Sequence, residues 1–209
     1  MDNLSSLPRF RCERRAFYEV AANPDAAAWR KLEAQPLRET MTGGMPSQAT
    51  TVRVGWSAEE LRVLFHCEDA HIFATRTQRD APLWEEEVVE VFVDPIGDLA
   101  AYFEIEVNPL NAVLDLVLRR NRSGFVSNVA WNCDGLRTAA QRTATAWTAE
   151  LAIPFRSLVA EPPHLGSQWR ANFLRIDRPP GVARELTAWS PTGRSHFHVP
   201  ERFGVIEFA

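Results

Sequence analysis

Asp80-Ala-Pro-Leu-Trp-Glu-Glu-Glu-Val-Val-Glu-Val-Phe-Val-Asp94 is a proline turn that runs into a strong β-former. Side chains of a strand alternate between its faces. Val89, Val91 and Val93 therefore share one face, and Val88, Glu90 and Phe92 share the other. Glu90 is a carboxylate on an otherwise apolar stretch, and Trp84 stands at its entrance. An acid and an indole together on a β scaffold suit a sugar site, and they also suit a plain sheet edge.

Working outward, strand signals recur along the chain. Thr50 to Trp56 and Leu61 to Glu68, joined by Ser57-Ala-Glu-Glu60, read as a hairpin. Leu61, Val63, Phe65 and Cys67 fall on one face of its second arm. Val88 to Asp94 and Tyr102 to Asn108 form a second hairpin; Leu136 to Thr143 and Trp147 to Ile153 form a third. Val113 to Leu118, Trp169 to Asp177, Glu185 to Ser190 and Val205 to Phe208 are further strands, and Phe10 to Val20 is an irregular first one. Asn23 as N-cap with Pro24 at the first helical position predicts a short helix over Ala26 to Leu32, and Pro154 to Leu158 predicts one helical turn. About ten short strands with turns every ~8–12 residues describe an all-β antiparallel sandwich or barrel. Strands do not alternate with helices, so a parallel sheet is not expected. With no repeat or linker, residues 1–209 read as a single domain.

Composition narrows the function. The chain has 209 residues, 45% of them hydrophobic, enough for one sizeable core. Its 23 basic and 27 acidic residues leave a net charge of −4, which argues against nucleic acid as a partner. The short Arg119-Arg120-Asn121-Arg122 run fits a solvated loop. Nothing approaches the ~20 apolar residues of a membrane span, so no membrane partner is expected. The opening residues lack a basic and apolar leader, so a cytoplasmic protein is expected from this start, and a secreted one if the N-terminus is incomplete. Cys12, Cys67 and Cys133 are odd in number and widely spaced, which predicts free, buried thiols.

The chemistry-bearing residues leave several alternatives open. Glu85, Glu86, Glu87 and Glu90 crowd one segment, with Glu104 and Glu106 on its neighbour. Paired carboxylates facing a cleft can hydrolyse a glycoside, whereas glutamates on a strand are more commonly a solvated face. His196 and His198 share one side of an extended segment, with no third metal ligand placed by spacing. Asp94 with Asp98, or Glu68 with Asp69 and Asp80, offer oxygens of the type calcium prefers, or are simple loop acids. No nucleophile elbow or phosphate loop occurs. Trp84 and Trp189 both sit at loop–strand junctions beside prolines, where an indole is accessible more often than in an alternating strand. Two exposed indoles with polar groups nearby suit a sugar clamp, and two core tryptophans are the bland reading.

The order of motifs is more specific than any one of them. Asp80-x-Pro-Leu-Trp84 through Glu90 to Asp94-Pro comes first, then Tyr102-Phe-Glu-Ile-Glu-Val-Asn108-Pro. Trp147-x-x-Glu150-x-x-Ile153-Pro-Phe155 and Trp169-Arg-x-Asn172-Phe-x-Arg175 follow, and Ala188-Trp189-Ser-Pro-Thr192 and Pro200-Glu-Arg-Phe203-Gly204 close the series. From about Trp29 to Phe208 the chain resembles the family 9 carbohydrate-binding modules and their stand-alone relatives. The resemblance implies a jelly-roll-like β-sandwich of two antiparallel sheets with one or two short helices. It implies non-catalytic binding of a mono- or oligosaccharide, with a terminal sugar ring held between two tryptophans. Trp84 matches the first tryptophan, Glu90 the carboxylate and Trp189 the second tryptophan; Asn108, Asn172 and Arg175 fall where hydroxyl readers would lie. No cofactor is required, and a structural calcium is allowed without assigned ligands.

Two other functions remain in view. Related sandwiches of the DOMON type bind haem for electron transfer, which here would need Met41 or Met45 paired with His196 or His198. A glycoside-acting enzyme would use Glu90 with Glu104 or Glu106.

Overall fold

The structure, a computed structural model, describes residues 7–181 and 183–209. It is all-β, with one short helix and several 3-10 turns. The strands are β1 (Arg9–Arg14), β2 (Gln35–Pro36), β3 (Arg38–Glu39), β4 (Thr50–Trp56), β5 (Glu60–Glu68), β6 (Val88–Asp94), β7 (Ala101–Val107) and β8 (Val113–Asn121). They continue with β9 (Gly124–Asn128), β10 (Arg137–Arg142), β11 (Ala146–Pro154), β12 (Gln168–Asp177), β13 (Glu185–Ala188) and β14 (Gly204–Phe208). Helix α1 (Phe155–Leu158) is the single turn that Pro154 predicts. No helix among the described residues is long and apolar enough to cross a membrane.

The strand arrangement is a curled half-barrel, consistent with the expected β-sandwich. Eleven strands form one hydrogen-bonded path, β10-β11-β5-β4-β1-β14-β12-β6-β7-β8-β9, that curls on itself, with β13 paired to β12 and β3, and β2 to β4, off it. β1 is the hinge of the path: Arg9 to Cys12 pair with β14 and Glu13 to Arg14 pair with β4, both in parallel. One chain segment thus supplies both arms with a neighbour.

The inner faces of the two arms share one core. Val52, Val54, Val63 and Phe65 of β4 and β5 pack in the same cluster as Val89, Val91 and Val93 of β6 and Phe173 of β12. Alternation then forces the opposite residues outward. Val88 and Phe92 of β6, Leu114, Leu116 and Leu118 of β8, and Leu174 and Ile176 of β12 build a second apolar cluster on the outer face. That second cluster leaves the outer face of β6–β8 largely buried and not a solvated surface.

Differences from the sequence reading have local causes. The segment after Pro24 forms turns and a 3-10 turn at Trp29–Lys31; Asn23 Oδ1 accepts from the Asp25 amide, capping a turn in place of a helix. Arg119 to Asn121 finish β8, exposed, and hairpin back into β9, a strand the sequence reading omits. All three cysteines are free and buried.

Candidate functional site

Glu90, Glu104 and Glu106 occupy one face of β6 and β7. In the antiparallel register Glu90 stands opposite Glu106, and Glu104 follows two residues along the same face. The apolar surround makes these carboxylates buried and not solvated, each at 5% exposure or less. One oxygen from each lies within 4.8 Å of the others. They form part of the lining of an open cavity of about 580 Å³. Leu116, Leu118, Phe125, Ile176 and Leu186 supply apolar walls, and His196, Phe197 and His198 close one side. An apolar hollow of this size with a few convergent polar groups is the usual form of a small-ligand site.

Trp84 is held at the mouth. It is the middle residue of a 3-10 turn, Leu83–Glu85, whose neighbour Leu83 is buried in the outer cluster. The preceding loop is tied down by Glu86, whose carboxylate accepts from the Thr75 amide at 2.7 Å, the Thr75 hydroxyl at 2.5 Å and the Arg76 amide. The anchored turn leaves the indole 42% exposed and lining the cavity.

The electrostatics of the floor follow from burial. Glu90 titrates well above the carboxylate range because it is desolvated and beside Glu104, against a small opposing pull from Arg184. Burial pushes Glu104 up to about 7. Glu106 is also raised well above its ordinary value by burial and by the Glu90 and Glu104 charges. His198 stacks on Phe92 and meets the Tyr102 hydroxyl at 2.7 Å through Nδ1. Partial burial and the nearby His196 hold its imidazole below the usual range, so the ring is uncharged at neutral pH.

The expected second wall is corrected. Trp189 is 5% exposed and packs against Phe10 and Phe173 in the inner core. Its backbone amide bonds to Phe173 O, so it continues the β13 ladder, and Ala188 takes the cavity side. Gly204 makes room for the indole: a Cβ there would lie 2.3 Å from the Trp189 ring. Trp84 and Trp189 thus stand in different compartments, and it is Phe197 that shares the cavity with Trp84.

The three expected hydroxyl readers are engaged inside the fold. Asn108 Oδ1 accepts from the Leu110 and Ala112 amides, and its Nδ2 donates to Arg76 O at 2.8 Å. Asn172 bridges to Ser190, donating to its carbonyl and accepting from its amide. Arg175 pairs with Val89 in register and faces the inner side, where it donates to Asp69 at 2.9 Å, Thr50 at 3.0 Å and Glu68 O at 2.8 Å. None of the three lines the cavity with Glu90. Phe125, Arg184 and Phe197, which do, carry no motif that singles them out in the sequence.

Two carboxylate groups have metal-like spacing. In the inner one, Asp69, Glu87 and Asp177, the Arg175 guanidinium already supplies positive charge, 2.9 Å from Asp69 and 3.5 Å from Asp177. That group does not fit a cation. Asp94 and Asp98 serve instead as loop acceptors for the amides of Ile96, Gly97, Leu99 and Ala100. Met41 and Met45 are exposed and do not line the cavity that holds His196 and His198, so the axial pair a haem would need is not assembled.

Comparison with known proteins agrees with the fold. A family model described as carbohydrate family 9 binding domain-like matches residues 22–209. A provisionally assigned carbohydrate-binding protein from Bacteroides uniformis is 18% identical with a TM-score of 0.77, covering 97% of this chain and 98% of its own. A family 9 carbohydrate-binding module from Caldicellulosiruptor kristjanssonii, solved with cellotriose, is 15% identical with a TM-score of 0.73 over 96% of this chain and 93% of its own. The glucose complex of a module of that family from the same organism is also 15% identical, with a TM-score of 0.73 and coverages of 97% and 96%. Identities this low carry the fold alone. No curated protein matches the sequence.

Proposed function

The chain belongs to the carbohydrate family 9 binding domain-like family, and on that premise we propose that it binds the end of a glucose-type mono- or oligosaccharide without turning it over. One observation carries the reading. Trp84, an indole 42% exposed, stands at the mouth of a cavity whose floor holds Glu90, Glu104 and Glu106. The C–H face of a sugar ring packs on an indole, while its hydroxyls donate to carboxylates. Phe197 and the flanking histidines line the same cavity, where the sequence expectation places Trp189. The family 9 structures with cellotriose and glucose support a glucose-type ligand.

The matched family, described as a carbohydrate-binding domain, favours binding over hydrolysis.

Calorimetry and tryptophan fluorescence with glucose, cellobiose, cellotriose and xylobiose test the proposal. Saturable binding that weakens at least tenfold in Trp84→Ala supports it. No heat and no fluorescence change at millimolar sugar overturns it.

A further inference from the structure

The cavity floor holds more carboxyl oxygens than its protein partners account for. Glu104 Oε2 and both carboxyl oxygens of Glu106 are buried without a hydrogen-bond partner. These two side chains are 5% and 1% exposed and are aimed at the point where Glu90 converges with them. Among the described residues only His198 comes within ion-pair distance of the trio, at 3.9 Å from Glu104, and its Nδ1 is engaged with Tyr102. Arg184, the cation lining the same cavity, is exposed and forms no ion pair with them. Buried acceptors without donors are costly, and adjacent like charges add to that cost.

We propose that Glu90, Glu104 and Glu106 form a binding site for a hard divalent cation of the calcium type, with its open coordination positions turned into the cavity. The donors are all carboxylate oxygens, the set that calcium prefers over the nitrogen and sulfur ligands of transition metals. Calcium takes ~6–8 oxygens at about 2.3–2.6 Å, so three carboxylates binding through one oxygen each leave roughly three or more positions for water or ligand hydroxyls. Two neighbouring strands hold the three acids in register, so little ordering is needed on binding. The inner trio of Asp69, Glu87 and Asp177 differs in having the Arg175 guanidinium among it. The cation site stands independently of the sugar reading; if sugar binds, its hydroxyls are suited to the open positions.

Chelator-treated protein titrated with terbium, excited through tryptophan, tests the site, followed by calcium displacement and calcium calorimetry. The expected result is sensitised emission from a site that calcium empties. Glu106→Gln should weaken calcium at least tenfold, Asp177→Asn should leave it unchanged, and Trp84→Phe should dim the emission without altering calcium affinity. If Glu106→Gln fails to fold, Glu104→Gln carries the same expectation. The proposal is overturned if calcium gives no heat and displaces no emission. It is equally overturned if Asp177→Asn abolishes binding while Glu106→Gln spares it. Sugar titrations of the same sample are scored separately, so calcium binding without sugar binding sinks only the sugar reading, and the reverse sinks only the cation site.

Discussion

Glu90 and Glu106 stand directly opposite each other on β6 and β7, two buried carboxylates in one cross-strand pair. Like charges in that position are destabilising, and burial removes the water that would screen them. The pair is tolerable when a proton or a cation lies between the groups, which makes stability a reporter on the site.

Stability should therefore fall as pH rises. In the unfolded chain a glutamate titrates near ~4.3. The folded protein keeps its proton on Glu104 up to about 7 and on Glu87 up to about 9. Between those limits the folded state binds more protons, so the stabilisation is full on the acid side and is lost through pH 7 and then 9. Thermal melts of chelator-treated protein should show Tm falling by roughly 5–10 °C from about pH 5.5 to about pH 8.5. Glu104→Gln should flatten the step near neutrality, and a Tm that is flat or rises with pH contradicts the assignment.

The two tryptophans should separate binding from folding. Trp84→Ala should abolish sugar binding and leave Tm almost unchanged, because the indole is half-exposed. Trp189→Ala removes a core ring and should cost about 3–5 kcal/mol in denaturant unfolding. Any Trp189→Ala protein that folds should still bind sugar, and a selective loss of affinity at unchanged stability would restore Trp189 to the site.

Gly204→Ala should be destabilising by about 1–3 kcal/mol. The added Cβ meets the Trp189 ring at 2.3 Å and the Pro8 carbonyl at 2.8 Å. The ring and the backbone are both hard to move. Chemical denaturation measures the loss, and a neutral effect would show that the indole is free to shift.

Arg175→Met should leave Asp69, Glu87 and Asp177 facing one another without their guanidinium. Breaking a buried ion pair from one side costs about 3–5 kcal/mol. Sugar affinity of the folded fraction should not change, since Arg175 faces away from the cavity. Calorimetry at a temperature well below the melt distinguishes this from a direct hydroxyl contact.

Much of the architecture is legible in local pattern. Val88–Asp94 has the bounds that its alternation predicts, and the β4–β5 hairpin follows from Ser57 to Glu60. β9 escaped because Gly124 to Asn128 is short and mostly exposed, so no apolar period marks it. Trp189 shows how far parity reaches. Its neighbour Ala188 pairs with Leu174, which pairs with Glu90, so alternation turns Trp189 to the inner face. That conclusion needs the register of three strands, which local sequence does not contain. Asn108 and Asn172 read as ligand-facing amides for the same reason: a polar side chain in a strand declares a need for partners, and only the packed chain shows that turns and neighbouring backbone meet it.

The amino-acid sequence by itself determined the all-β class and the strand that carries Glu90, because period-two alternation is a short-range property. Tertiary structure alone decided that Glu90, Glu104 and Glu106 converge in an apolar hollow, that Trp84 is exposed there while Trp189 is buried in the core, and that Arg175 serves the core. Those outcomes depend on which strands become neighbours and in what register. Burial then sets the charge state of each acid, because desolvation acts only once the surrounding walls are in place.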